Sequence, residues 1–169
     1  WNTQAWKFME ELIDQRIAET PPTDNQAEVS IIIPLYNSVE YTRKCLASLE
    51  ATLKPEQFEL IMVDNNSTDD TVDLLSSLPS TVKIIRNSEN LGFARACNQG
   101  ARAASGNYLL FLNNDTEAKP GWLEPLLECV ERDHAIGAVG SKLLFSDGTI
   151  QHAGVLVIEN QNSPERLCP

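Results

Sequence analysis

The chain has no apolar run near the ~18 residues that cross a bilayer, and no basic segment leading into an apolar signal core at its amino end. A cytoplasmic address is therefore expected, with peripheral attachment to the inner face of the membrane as the alternative. Positive charge is also scarce: 13 Lys and Arg stand against 24 Asp and Glu, a formal net charge of −11. This argues against a nucleic-acid partner, since general affinity for DNA comes from cations that neutralise phosphates. An anionic ligand would need local help from a metal or from backbone amides. The four cysteines, Cys45, Cys97, Cys129 and Cys168, are far apart, form no CxxC pair and are joined by only two histidines. Neither a structural zinc site nor a disulfide framework is indicated, so reduced and mostly buried thiols are expected. The loop after the first expected strand, Pro34-Leu35-Tyr36-Asn37-Ser38, has no glycine. The GxGxxG turn of dinucleotide-binding folds is missing, as is the GxxxxGK[ST] phosphate loop.

What remains is an ordinary globular composition of 169 residues, 42% of them hydrophobic, enough for one domain with a core or one domain with an appendage. Phe8, Met9, Leu12, Ile13 and Ile17 recur at helical spacing, and the proline-rich stretch 20–26 reads as a linker. Residues 1–28 are accordingly expected to be an amphipathic helix and linker, and 29–169 the main domain. There, strand patterns at 29–33, 60–63, 82–85 and 108–112 alternate with helix patterns at 39–53, 71–78, 91–104 and 122–131. This order predicts an α/β fold with a mostly parallel sheet flanked by helices on both faces. After residue 137 the apolar pieces shorten to 138–139, 143–145 and 154–158. Around Asp147-Gly148 they read as short hairpin-type strands.

The most informative stretch is 107–116, where the apolar run Tyr108 to Leu112 stops at Asn113-Asn114-Asp115-Thr116. It reads as a buried strand delivering polar groups to its end. The run Phe58 to Val63 does the same with Asp64-Asn65-Asn66-Ser67. Ligands of parallel α/β sheets bind outside the carboxyl ends of the strands. The loop with Tyr36, Asn37 and the rigid Pro34 suits a base held by stacking and hydrogen bonds. Each group also has a plain structural role open to it. Asp64 with its asparagines can close a turn and cap a helix, Arg95 can be a solvated helix residue, and His152 a hydrogen-bonded structural histidine. Convergence of several groups on one sheet edge favours a site.

Taken in order, the segments 29–37, 63–70, 90–100 and 111–116 resemble the N-terminal half of family 2 glycosyltransferases of the GT-A (Rossmann-like) fold. Segment 147–154, Asp-Gly-Thr-Ile-Gln-His-Ala-Gly, is similar to the bacterial rhamnosyltransferase and galactofuranosyltransferase-like branch. The resemblance implies binding of a UDP-sugar or dTDP-sugar with a divalent metal, Mn²⁺ or Mg²⁺, and transfer to a glycan or lipid-linked acceptor in polysaccharide synthesis. Tyr36 would lie near the pyrimidine, Pro34 and Leu35 would shape the wall, and Asn37 and Asn66 would sit nearby. Asp64 would accept the imide N–H of uracil or thymine, and Arg95 would contact the nucleotide or its phosphates. Asn113-Asn114-Asp115 occupies the place of the family's DxD motif, with Asn113 towards the ribose and Asp115 as metal ligand. Asn113 departs from the acid often found there; its amide oxygen can still accept from a ribose hydroxyl.

The resemblance further implies inversion at the anomeric carbon and a catalytic carboxylate in the family's C-terminal half. Asp147 lies in a turn and Glu159 lacks the surrounding pattern, so the base is expected beyond Pro169 and the chain is expected to be a donor-binding half. Two alternatives stand beside this reading: a nucleotide-sugar-binding module that does not catalyse, and an interaction scaffold.

Overall fold

The computed structural model describes residues 27–54, 57–133 and 135–154, and the expected N-terminal helix and linker lie outside them. The described residues fall into two compact units, within Trp1–Pro120 and within Gly121–Pro169.

The first unit is built on four strands, β1 (Val29–Leu35), β2 (Phe58–Asp64), β3 (Lys83–Arg86) and β4 (Tyr108–Phe111). Three helices link them in turn, α1 (Val39–Thr52), α2 (Thr71–Ser77) and α3 (Phe93–Ala103). All pairings are parallel, in the order β3-β2-β1-β4. Every residue of β1 is buried, as expected of a central strand covered on both faces. The two crossovers from β1 to β3 step one way and the third returns past β1. Because such crossovers are right-handed, the reversal sends α3 to the face opposite α1 and α2.

On the α3 face, Ile32, Ile61 and Val63 pack with Ala96 and Ala101. Small residues let the helix lie close: a Cβ added at Gly100 would collide with Ile32 Cγ2. Cys45 and Leu49 are the buried side chains on the middle of α1.

The mostly parallel sheet expected from the sequence is present, and each sheet element lies within a few residues of its predicted place. One expectation needs correction. β4 is not a buried strand: it is the outermost strand, paired only with β1 among the described residues, and Phe111 is 38% exposed. An apolar run reads alike in a central strand and at the end of a sheet.

The second unit has the helix α4 (Glu124–Arg132) and an antiparallel pair, β5 (Leu143–Leu144) and β6 (Ile150–His152). The hairpin turns at Asp147-Gly148 as predicted. Its returning strand is Ile150–His152; of the strand expected at 154–158, residues 155–158 lie outside the described residues, and 138–139 forms no strand. The Asp147 side chain fixes the turn, accepting Thr149 N at 2.9 Å and Thr149 Oγ1 at 2.6 Å through Oδ1. Those bonds hold its carboxyl below the usual carboxylate range.

Candidate functional site

The reversal of strand order puts the switch point between β1 and β4, the place where sheets of this kind form a crevice between the loops leaving the two strands. Loop 36–38 and loop 112–117 flank it, and loop 65–70 stands beside the first.

Asp64 closes β2 and is 4% exposed. Its Oδ1 accepts Ser67 N at 2.9 Å, while Oδ2 takes no hydrogen bond from the described residues. In register beside it, Leu35 ends β1, and its carbonyl accepts Asn65 N at 2.9 Å. Pro34 and Leu35 are buried, and the ring of Tyr36 stands out from the edge, 48% exposed.

Asn37, Ser38 and Asn66 have left-handed backbones, with φ of 57°, 64° and 68°. Such conformations are costly outside glycine, least so for asparagine, and persist where surrounding bonds fix them. Here Asn37 N donates to Ser67 Oγ and Asn37 Oδ1 accepts Thr68 N, both at 2.8 Å. Asp69 adds a third link, accepting Val39 N through Oδ2 and Thr71 N through Oδ1, each at 3.1 Å. One carboxylate thus satisfies the first amides of α1 and α2, where negative charge also meets the positive helix ends. Asp70, the residue just before α2, makes no side-chain cap bond.

Beyond β4, Asn113 and Asp115 are exposed and the Asn113 carbonyl accepts Thr116 N at 3.2 Å, closing a turn. Asn114 points to α1, where its Nδ2 donates to the buried Thr42 Oγ1 at 3.0 Å. Burial pushes the Cys45 thiol up to about 11, and the charges of Asp115 and Glu117 add to the rise. The middle of α1 therefore feels two carboxylates, and its thiol is a poor nucleophile. No three His, Cys, Asp or Glu side chains gather into a metal cage among the described residues. Arg95 is exposed on the first turn of α3, just after Gly92.

The structure brings Pro34, Leu35, Tyr36, Asn37, Asp64, Asn66, Asn113, Asn114 and Asp115 to one sheet edge. Arg95 comes to the same edge at the amino end of α3. Sequence reasoning passed over Asn87 and Gln99, which bond to each other while Asn87 also bonds to Asn65, and the double cap made by Asp69. Asn87 lacks the signal that singled out Asp64, a polar residue directly after an apolar run: the charged Arg86 stands between it and the apolar pair Ile84-Ile85.

Known proteins resemble this chain in sequence and in fold. The chain is 41% identical over 140 residues to the O-antigen biosynthesis protein RfbC of Myxococcus xanthus, a match covering 80% of this chain and 11% of that protein. It is 35% identical over 125 residues to the putative teichuronic acid biosynthesis glycosyltransferase TuaG of Bacillus subtilis, covering 72% and 49%. The chain thus spans less than half of the length of these relatives. The crystal structure of S. aureus TarS 1-349 superposes with a TM-score of 0.56 at 27% identity, covering 63% of this chain and 33% of that one. The same TarS fragment in complex with UDP-GlcNAc superposes at 0.54. The family description "Glycosyl transferase family 2" matches residues 30–164, and with the strand order and the polar carboxyl edge already in place, the chain belongs to that family.

Proposed function

We propose that this chain binds the donor of a glycosyltransferase, a UDP-sugar or dTDP-sugar, for transfer to an acceptor hydroxyl with inversion during polysaccharide synthesis. The observation that carries the reading is Asp64, a buried carboxylate at the end of a central strand with one oxygen held by Ser67 N and the other left for a donor. The imide N–H of uracil or thymine is such a donor, and the N3 of cytosine is not. The exposed Tyr36 ring beside it gives the base a stacking face, with Pro34 and Leu35 as the wall and Asn37 and Asn66 at the rim. The UDP-GlcNAc-bound TarS structure supports the same class of donor.

Asp115 is the metal ligand in this reading, with Asn113 towards the ribose and Asn114 holding the loop to Thr42. A lone exposed carboxylate fits Mg²⁺ or Mn²⁺, which take hard oxygen ligands and complete their shells with water and substrate phosphates. Bound there, the metal would stabilise the charge that develops on a diphosphate leaving group. Arg95 would add a second cation at the phosphates. The base that deprotonates the acceptor is assigned to a region beyond Pro169, and the 1–28 segment to an appendage of the 29–169 domain.

Calorimetric titration of UDP and dTDP into the chain tests the proposal, with Mn²⁺, with chelator, and with Asp64→Ala. Metal-dependent binding that the substitution abolishes supports it. Folded protein that binds neither nucleotide would overturn it.

A further inference from the structure

A chain of three amides runs from the candidate base-binding loop to the helix carrying Arg95, and one backbone oxygen sets its direction. Asn65 is 4% exposed, so its amide must find partners inside the protein. Its Nδ2 donates to the Gly92 carbonyl at 3.4 Å. A carbonyl can only accept, which turns Asn65 Oδ1 towards Asn87, whose Nδ2 donates to it at 2.9 Å. Asn87 Nδ2 also donates to Gln99 Oε1 at 2.8 Å, and Gln99 Nε2 returns a bond to Asn87 Oδ1 at 2.7 Å. The backbone of Asn87 joins in, its N–H donating to the Asp64 carbonyl at 2.8 Å.

The ends of this chain matter. Asn65 directly follows Asp64, and Gly92 precedes the first turn of α3, its carbonyl also accepting Ala96 N at 3.2 Å. Gly92 has φ of 80°, and Asn90 Oδ1 accepts its N–H at 2.9 Å, so the entry to α3 is fixed on both sides of the peptide. We propose that the Asn65–Asn87–Gln99 amide chain positions the two halves of the donor site, holding the Arg95 turn of α3 at a set distance from Asp64 so that base and diphosphate are gripped together. This rests on the donor-site reading given above. Asn87 is the central link of the three because it both donates and accepts. Aspartate there has the same shape and only acceptors, facing Asn65 Oδ1. Turning the Asn65 amide to answer it would set two oxygens together at Gly92.

The test compares equilibrium binding of UDP and of uridine to the full chain with Mn²⁺, for wild type, Asn87→Asp, Asn87→Ala, Arg95→Ala and the Asn87→Ala/Arg95→Ala pair. Thermal melts check the fold, and Gln99→Ala, at the half-buried far end, replaces any Asn87 variant that does not fold. The Asn87 variants are expected to lose about tenfold in UDP affinity and to hold uridine within about twofold. In the Arg95→Ala background the Asn87 substitution should add little, since coupled residues are not additive. Equal loss for UDP and uridine, full additivity, or wild-type affinity in the Asn87 variants would overturn the positioning role. A wild-type chain that binds no UDP would overturn the donor-site reading itself, and the positioning role with it.

Discussion

Lys83 Nζ lies 2.6 Å from Glu59 Oε2, an ion pair at the amino edge of the sheet, the end away from the candidate site. Glu59 Oε1 accepts the Ser30 hydroxyl and the amides of Ser105 and Gly106, while Lys83 also donates to the Ala103 carbonyl at 3.1 Å. One carboxylate therefore fastens β1, β2 and β3 to the turn in which α3 passes into β4. Burial pushes the Glu59 carboxyl up, but the bonds from Lys83, Ser30 and Ser105 outweigh it and bring it to about 2, from 4.5.

Glu59→Ala should destabilise the domain by roughly 2–3 kcal/mol at pH 7, because the Ser105 amide and the Ser30 hydroxyl lose their acceptor and Lys83 its counter-charge. The folded value lies below the unfolded one, so the contribution is full above about pH 4.5 and fades as the pH falls towards 2. Urea unfolding of both proteins across that range should show their difference narrowing. A difference that stays constant would assign the effect to packing.

Asp69→Ala removes the cap shared by α1 and α2, with an expected loss of about 1–2 kcal/mol. Burial raises the Asp69 carboxyl, and bonds from Thr71, Val39 and Ser38 carry it below the ordinary 3.8, so its stabilisation also fades at acid pH below that value. Asp70→Ala, at a side chain that caps nothing, serves as the comparison in thermal melts. Equal losses in the two variants would contradict the double cap.

Asp64→Asn should keep the fold and lower UDP affinity by about 10–100-fold, a change of about 1.4–2.8 kcal/mol. Ser67 N claims the amide oxygen, which leaves an NH₂ facing the imide N–H of the base. Calorimetry on the folded variant decides this. Unchanged affinity would remove Asp64 from base recognition.

Burial raises the Cys45 and Cys97 thiols to about 11, so both should resist iodoacetamide at pH 8 while the half-buried Cys129 is alkylated sooner. Site-resolved mass spectrometry over a time course measures the order. Early modification of Cys45 would show that the packing around the middle of α1 opens readily.

The strands and the edge they share were legible because apolar runs ending in Asp64 or Asn113 carry both the strand and its direction. Glu59 was not, since an acid within Phe58 to Val63 looks like a solvent-facing strand residue. Its partners Ser30, Lys83 and Ser105 are 24 to 46 positions away and meet it only once the register is set. Asn87 and Gln99 were hidden for the same reason. The strand Ile150–His152 was not legible because a three-residue segment with a single apolar side chain, facing a two-residue partner, gives no alternation to count.

The left-handed pair Asn37-Ser38 gives the rim of the crevice a particular mechanical character. Its backbone sits in a high-energy state that bonds to Ser67, Thr68 and Asp69 keep in place, so the first and second loops behave as one latch rather than two flaps. Glycine at position 37 would ease the backbone and at the same time release Thr68, so a change that relaxes the chain would slacken the rim.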